Sequence, residues 1–166
     1  MITIICGTNR PGSNTGKVAA QYVRLLRDKG ISTQFLTLEG LDVHMRSEAI
    51  KQLEKDVLIP TEKFIFISPE YNGSIPGVLK SLFDITDTKK VWWGKKALLT
   101  GVSTGRAGNL RGMEHLTGIL HFMKVHVHPS KLPISVVDKL LNSDNLITDT
   151  GTLQAINEQL EEFLVY

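Results

Sequence analysis

Residues 2–18 read Ile2-Thr3-Ile4-Ile5-Cys6-Gly7-Thr8-Asn9-Arg10-Pro11-Gly12-Ser13-Asn14-Thr15-Gly16-Lys17-Val18. The apolar run 2–6 predicts a buried strand, and residues 15–29 place Val18, Ala19, Tyr22, Val23 and Leu26 on one helical face. Between them lies a loop of hydroxyls and amides, kept compact by Gly7 and Gly12. The first amides of a helix lack intrahelical acceptors and carry partial positive charge, so a strand, a polar loop and a helix start together suit a phosphate.

Outward from this stretch the pattern repeats. Strands are predicted at 32–38, 64–67, 97–102 and 125–128, alternating with helices at 47–57, 75–86, 109–123 and about 150–165. Near-continuous apolar strands separated by helices imply a parallel sheet covered on both faces. Five such units in 166 residues fit an α/β three-layer sandwich of flavodoxin-like type. Its sheet is five-stranded and parallel, in order 2-1-3-4-5. Residues 129–149 read as a long irregular excursion before the last helix, and no linker or repeat divides the chain, so residues 1–166 are expected to form one domain.

Composition removes several function classes. The chain is 42% hydrophobic and 22% charged with a net charge of +2, which gives no basic footprint for nucleic acid. No apolar stretch approaches the roughly 18 residues of a membrane span. The N-terminus has no signal-like pattern, so the cytoplasm is the expected location. A single cysteine, Cys6, excludes an internal disulfide, and its apolar strand makes a buried thiol the natural reading. His126 and His128 share a strand face, but two ligands do not make a metal site.

In a sheet of this order ligands bind beyond the carboxyl ends of the strands, which directs attention to three loops. The first fails the Walker A pattern, because Pro11 stands five residues before Gly16 and Val18 follows Lys17. It also fails G-x-G-x-x-G, since Gly7 is followed by Thr8 and Asn9. Its hydroxyls, amides and Arg10 suit a terminal monoester phosphate, which Arg10 is able to pair bidentately. The plainer alternative is a polar loop in which Ser13 or Asn14 caps the helix. The second loop, Ser68-Pro69-Glu70-Tyr71-Asn72-Gly73-Ser74-Ile75-Pro76-Gly77, presents backbone donors and a Tyr ring where a flat heteroaromatic ring would rest. Tyr71 taken alone reads equally well as a surface aromatic. The third loop, Gly101 to Asn109, is small, polar and flexible, and suits the opposite edge of the same ring.

These three segments, with Leu79-Lys80, resemble the NAD(P)H-dependent FMN reductases of the flavodoxin-like superfamily, which include azo-, quinone- and chromate-reducing relatives. The likeness spans nearly the whole chain, and Pro69-Glu70-Tyr71-Asn72 is its most specific part. The resemblance implies that Thr8, Arg10, Ser13, Asn14 and Thr15 hold the FMN phosphate. It further implies that Pro69, Glu70, Tyr71, Asn72 and Gly73, with Ser103, Thr104, Gly105 and Arg106, line the isoalloxazine. Hydride would pass from NAD(P)H to flavin and electrons onward to a small-molecule acceptor, with no catalytic side chain and no metal. Two readings stand for Arg106 and Arg111 with respect to the nicotinamide cofactor: they meet its phosphates, or they face solvent. The apolar excess of helix 109–123 and the habit of the resembling enzymes imply a homodimer or homotetramer. An FMN electron carrier without nicotinamide turnover and a flavin-binding regulatory module are the competing readings. The weakly basic charge counts against the carrier.

Overall fold

Alternating side chains decide how the sheet is covered. In β3 (Lys63–Pro69), Phe64 and Phe66 face one side and Ile65 and Ile67 the other, and all four are fully buried. A strand apolar on both faces belongs inside a parallel sheet. The computed structural model, which describes residues 1–166, places it there. β1 (Ile2–Cys6) pairs one edge of β3 and β4 (Lys96–Val102) the other, with β2 (Thr33–Thr37) outside β1 and β5 (His126–Val127) outside β4. All pairs are parallel, and the order is 2-1-3-4-5.

Helices α1 (Asn14–Asp28) and α5 (Thr150–Val165) cover the face that carries Ile65 and Ile67. The other face packs against α3 (Gly77–Ile85), α4 (Leu110–Phe122) and the π-helical turn Glu54–Leu58 that continues α2 (Glu48–Leu53). The adjacent tryptophans at the amino end of the sheet divide their roles. Trp92 is fully buried among Phe64, Phe66 and Phe83 and donates from Nε1 to Thr86 Oγ1 at 2.9 Å. Trp93 remains partly exposed between the ammonium groups of Lys89 and Lys124.

The excursion after β5 is not wholly irregular. β6 (Leu132–Ile134) pairs with Thr100–Val102 of β4, in the lane that β5 begins beside Lys96 and Ala97. Residues 128–131 separate the two pieces, two more than the stretch of β4 they pass. Gln159 of α5, 4 % exposed, fills the break. Its Nε2 donates to Leu99 O at 3.0 Å and Ser130 O at 2.8 Å, while its Oε1 accepts from Tyr22 Oη at 2.8 Å and Thr100 Oγ1 at 3.1 Å. Pro129 and a two-residue strand give little periodicity, which is why the sequence shows this lane only as a short β5 followed by loop.

His128 sits in the same break, edge-on to Phe163 and Tyr166, and its Nδ1 accepts the Ser130 amide at 3.3 Å. Burial holds its pKa below the usual histidine value, partly opposed by Glu162. As pH falls through the ordinary value near 6.5 the unfolded chain takes up the proton before the folded one does, so the fold loses stability from there downward. Thermal melts from pH 7.5 to 5 are expected to show this decline, and His128→Phe is expected to flatten the part that begins near 6.5. An equally steep decline in that variant would assign the effect to other groups.

Candidate functional site

The parallel register brings the three loops to one edge of the sheet. A cleft of about 300 Å³ opens there, lined by Arg10, Pro11, Ser13, Asn14 and Thr15 on one side and Pro69, Glu70, Tyr71, Ser103, Thr104 and Gly105 on the other. Val102 and Val137 add apolar contacts. Segments separated by about 60 and 90 residues in the chain thus share one concavity.

The first loop presents donors. Ser13 caps α1 by accepting the Gly16 amide at 3.0 Å, which leaves its hydroxyl proton free to donate. The amides of Asn9, Gly12, Ser13, Asn14 and Thr15 have no protein acceptor, and the first turn of α1 carries no carboxylate to offset its positive end. The cap and the phosphate site are therefore compatible uses of one loop. Asn14 Oδ1 accepts from Lys17 Nζ at 3.3 Å. Cys6 lies beneath, 3 % exposed, and burial pushes its thiol pKa up, so it stays protonated.

The second loop is a tight hairpin. Tyr71 and Ser74 exchange backbone hydrogen bonds of 2.9 and 3.1 Å across Asn72 and Gly73, whose φ values are 52° and 80°. Two successive left-handed residues make a type I′ turn, which the Asn-Gly pair favours. Glu70 accepts the Gly73 amide and ties the turn to its own stem. Tyr71 Oη meets Thr8 Oγ1 at 2.6 Å, and the Arg10 guanidinium lies 4.1 Å from the Tyr71 ring centroid. The phosphate-type loop and the aromatic loop are thus in direct contact.

The third loop is fixed from below by the excursion. Ser103 and Ile134, Val136 and Gly105, and Val137 and Ser103 are joined through backbone bonds of 3.0 to 3.1 Å. Val136 holds φ at 45°, a costly conformation for a β-branched residue, on the order of 1–2 kcal/mol. Ser103 Oγ accepts from the Gly108 amide and donates to Gly105 O, both at 3.0 Å, so that hydroxyl shapes the loop. The amides of Thr104, Gly105 and Arg106 have no protein acceptor.

Of the sequence-nominated residues, Thr8, Asn72, Gly73 and Arg106 lie outside the cleft lining. Thr8 supports Tyr71 from behind, Asn72 and Gly73 form the rim turn, and Arg106 is exposed. Arg111 is also exposed, its Nη1 3.2 Å from the point a Cβ on Gly73 would occupy. Val137 escaped sequence reading because it sits in a stretch without strand or helix periodicity. No group of three His, Cys, Asp or Glu side chains is gathered as metal ligands.

A parallel 2-1-3-4-5 sheet with an anion-suited first loop and two further loops walling one cleft defines a flavodoxin-like flavoprotein. The profile of the NADPH-dependent FMN reductase family matches residues 1–138, and the chain belongs to that family. It is 25% identical to an NAD(P)H-dependent FMN reductase of Pseudomonas aeruginosa, over 95% of this chain and 89% of that one. It is 26% identical to a 2-hydroxy-1,4-benzoquinone reductase of a Burkholderia species, over 75% and 72% of the two chains. The solved structure of FerB from Paracoccus denitrificans, a flavoenzyme NAD(P)H:(acceptor) oxidoreductase, superposes with a TM-score of 0.81 at 21% identity, covering 99% of this chain and 95% of that one.

Gly73→Ala forces a Cβ onto a left-handed residue and is expected to cost about 1–2 kcal/mol in chemical denaturation. Gly73→Asn, which tolerates that conformation, is expected to recover most of the loss. Equal stability of the wild type and the Ala variant would show that the turn does not need the left-handed geometry.

Proposed function

We propose that residues 1–166 form one FMN-binding domain that oxidises NAD(P)H and reduces quinone-type small molecules. The observation that carries this reading is the pairing of two donor sets in one cleft: the free amides at the start of α1 and those of Thr104 and Gly105, with Pro69–Tyr71 lining the same cleft. The first set suits a dianionic monoester phosphate, with Ser13, Asn14, Thr15 and Arg10 around it and Thr8 holding Tyr71 against Arg10. The second set suits the carbonyl-bearing edge of a flavin ring, where charge grows on reduction. Glu70, Asn72 and Gly73 shape the opposite wall, and Arg106 is exposed on the third loop. When bound, FMN supplies the hydride-accepting chemistry, and the protein binds and orients it.

The quinone-reductase relatives favour a quinone-type acceptor. No helix is long and apolar enough to cross a membrane, and we place the enzyme's work in the cytoplasm. An apolar groove of about 880 Å³ between α3 and α4, flanked by Phe83, Ile119 and the 87 % exposed Phe122, supports self-association as a homodimer or homotetramer.

Purified protein is expected to bind FMN in an absorbance titration and to oxidise NADH or NADPH when a benzoquinone is supplied. Binding without turnover would leave an electron carrier or a regulatory module instead. Arg10→Ala is expected to weaken FMN binding by about 1.5–3 kcal/mol, and an unchanged affinity would remove Arg10 from the site. Sedimentation analysis of Phe122→Glu is expected to show a smaller species than the wild type. Identical sedimentation would place any interface elsewhere.

A further inference from the structure

Asn109 opens α4 in a left-handed conformation, φ 62° and ψ 32°, and is 1 % exposed. Ser13, Ser47 and Asp149 open their helices from extended backbone, and each accepts an amide from the first turn of its own helix. Asn109 makes no such cap. Its Nδ2 points across to the second loop instead, donating to Ser68 O at 3.0 Å and Pro69 O at 2.9 Å.

Those two carbonyls end β3, paired in register with Gly101 and Val102 of β4. One amide group therefore joins the root of the second loop to the end of the third. The chain makes room for it with glycine. A Cβ on Gly112 would stand 2.1 Å from Asn109 Oδ1, and one on Gly101 would stand 2.1 Å from Gly108 O and 3.1 Å from Asn109 Cβ. Asn109 Oδ1 is itself buried without a donor, a cost that a mere helix start would not retain.

We infer that Asn109 is a positioning residue that sets the spacing between the two loops flanking the flavin ring. The inference rests on the flavin reading of the cleft, but it concerns a residue that does not line it. Replacing the amide would let the Ser103–Gly105 wall draw away from Pro69–Tyr71, which Thr8 and Arg10 still hold, weakening contacts to the ring while leaving contacts to the phosphate unchanged.

Asn109→Gly is the cleanest test, because glycine accepts the left-handed backbone and lacks only the amide. FMN and riboflavin are titrated by flavin fluorescence against wild type and variant, and amide hydrogen exchange is followed in the flavin-free proteins. The dissociation constants for both flavins are expected to rise by a similar factor, roughly tenfold or more. Exchange is expected to quicken at residues 103–108 and stay unchanged at residues 8–15. A purely structural role would lower the melting temperature with both affinities intact, and that result overturns the inference, as would weakening of FMN alone. If wild type binds neither flavin, the flavin reading falls and this inference with it. Wild-type binding matched by the variant removes only the role of Asn109. Asn109→Asp, which sets oxygen against two carbonyls, is expected to weaken both flavins at least as much.

Discussion

The buried amide of Gln159 is the interaction on which the carboxyl edge of the sheet depends. Two extra residues in the fifth lane would leave backbone carbonyls of Leu99 and Ser130 without donors in an apolar interior. One side chain answers both, and its oxygen is satisfied by Tyr22 and Thr100. With every polar atom partnered, the network joins α1, β4 and α5 without a buried charge. Because the break is stabilised, β6 resumes beside Thr100–Val102 and delivers Val137 to the cleft and Val136 to the third loop.

The cleft walls follow from this arrangement by a division of labour among similar groups. Hydroxyls of Thr8 and Ser103 are committed to the protein, where they fix Tyr71 and the third loop. Amides of residues 12–15 and 104–106 are left without acceptors, and of these residues Ser13, Asn14, Thr15, Thr104 and Gly105 line a cavity of ligand size. Pre-shaped donors need little reordering when an anion or a polarised ring edge arrives, which is where much of the affinity of such a site originates. Strain at Val136 is a local cost of that shaping.

Much of this was legible in the sequence, for identifiable reasons. Strands such as Phe64–Ile67 are unbroken apolar runs, so the parallel sheet was readable, and its order came from matching five βα units to a flavodoxin-like sheet. The first loop was readable because hydroxyls and amides cluster between a strand and a helix. Sequence gave no access to β6 and Val137, whose strand is three residues long and contains Pro133. Nor did it show that Asn109 faces away from its own helix or that Thr8 serves Tyr71, since both depend on contacts between residues 40 or more apart. Trp92 and Trp93 precede β4 and so fall at the amino end of the sheet, but only packing distinguishes them.

The interrupted fifth lane also bears on behaviour at high concentration. A sheet edge with a long regular row of free amides and carbonyls invites another chain to add a strand. Here that edge is two short pieces with Pro129 between them and Pro133 inside the second, and Gln159 occupies the gap. It offers no continuous template. The opposite edge, β2, is regular along its five residues, with Phe35 exposed on it. Aggregation by strand addition therefore has one edge open to it, and a charge or proline introduced along β2 is the economical guard against it.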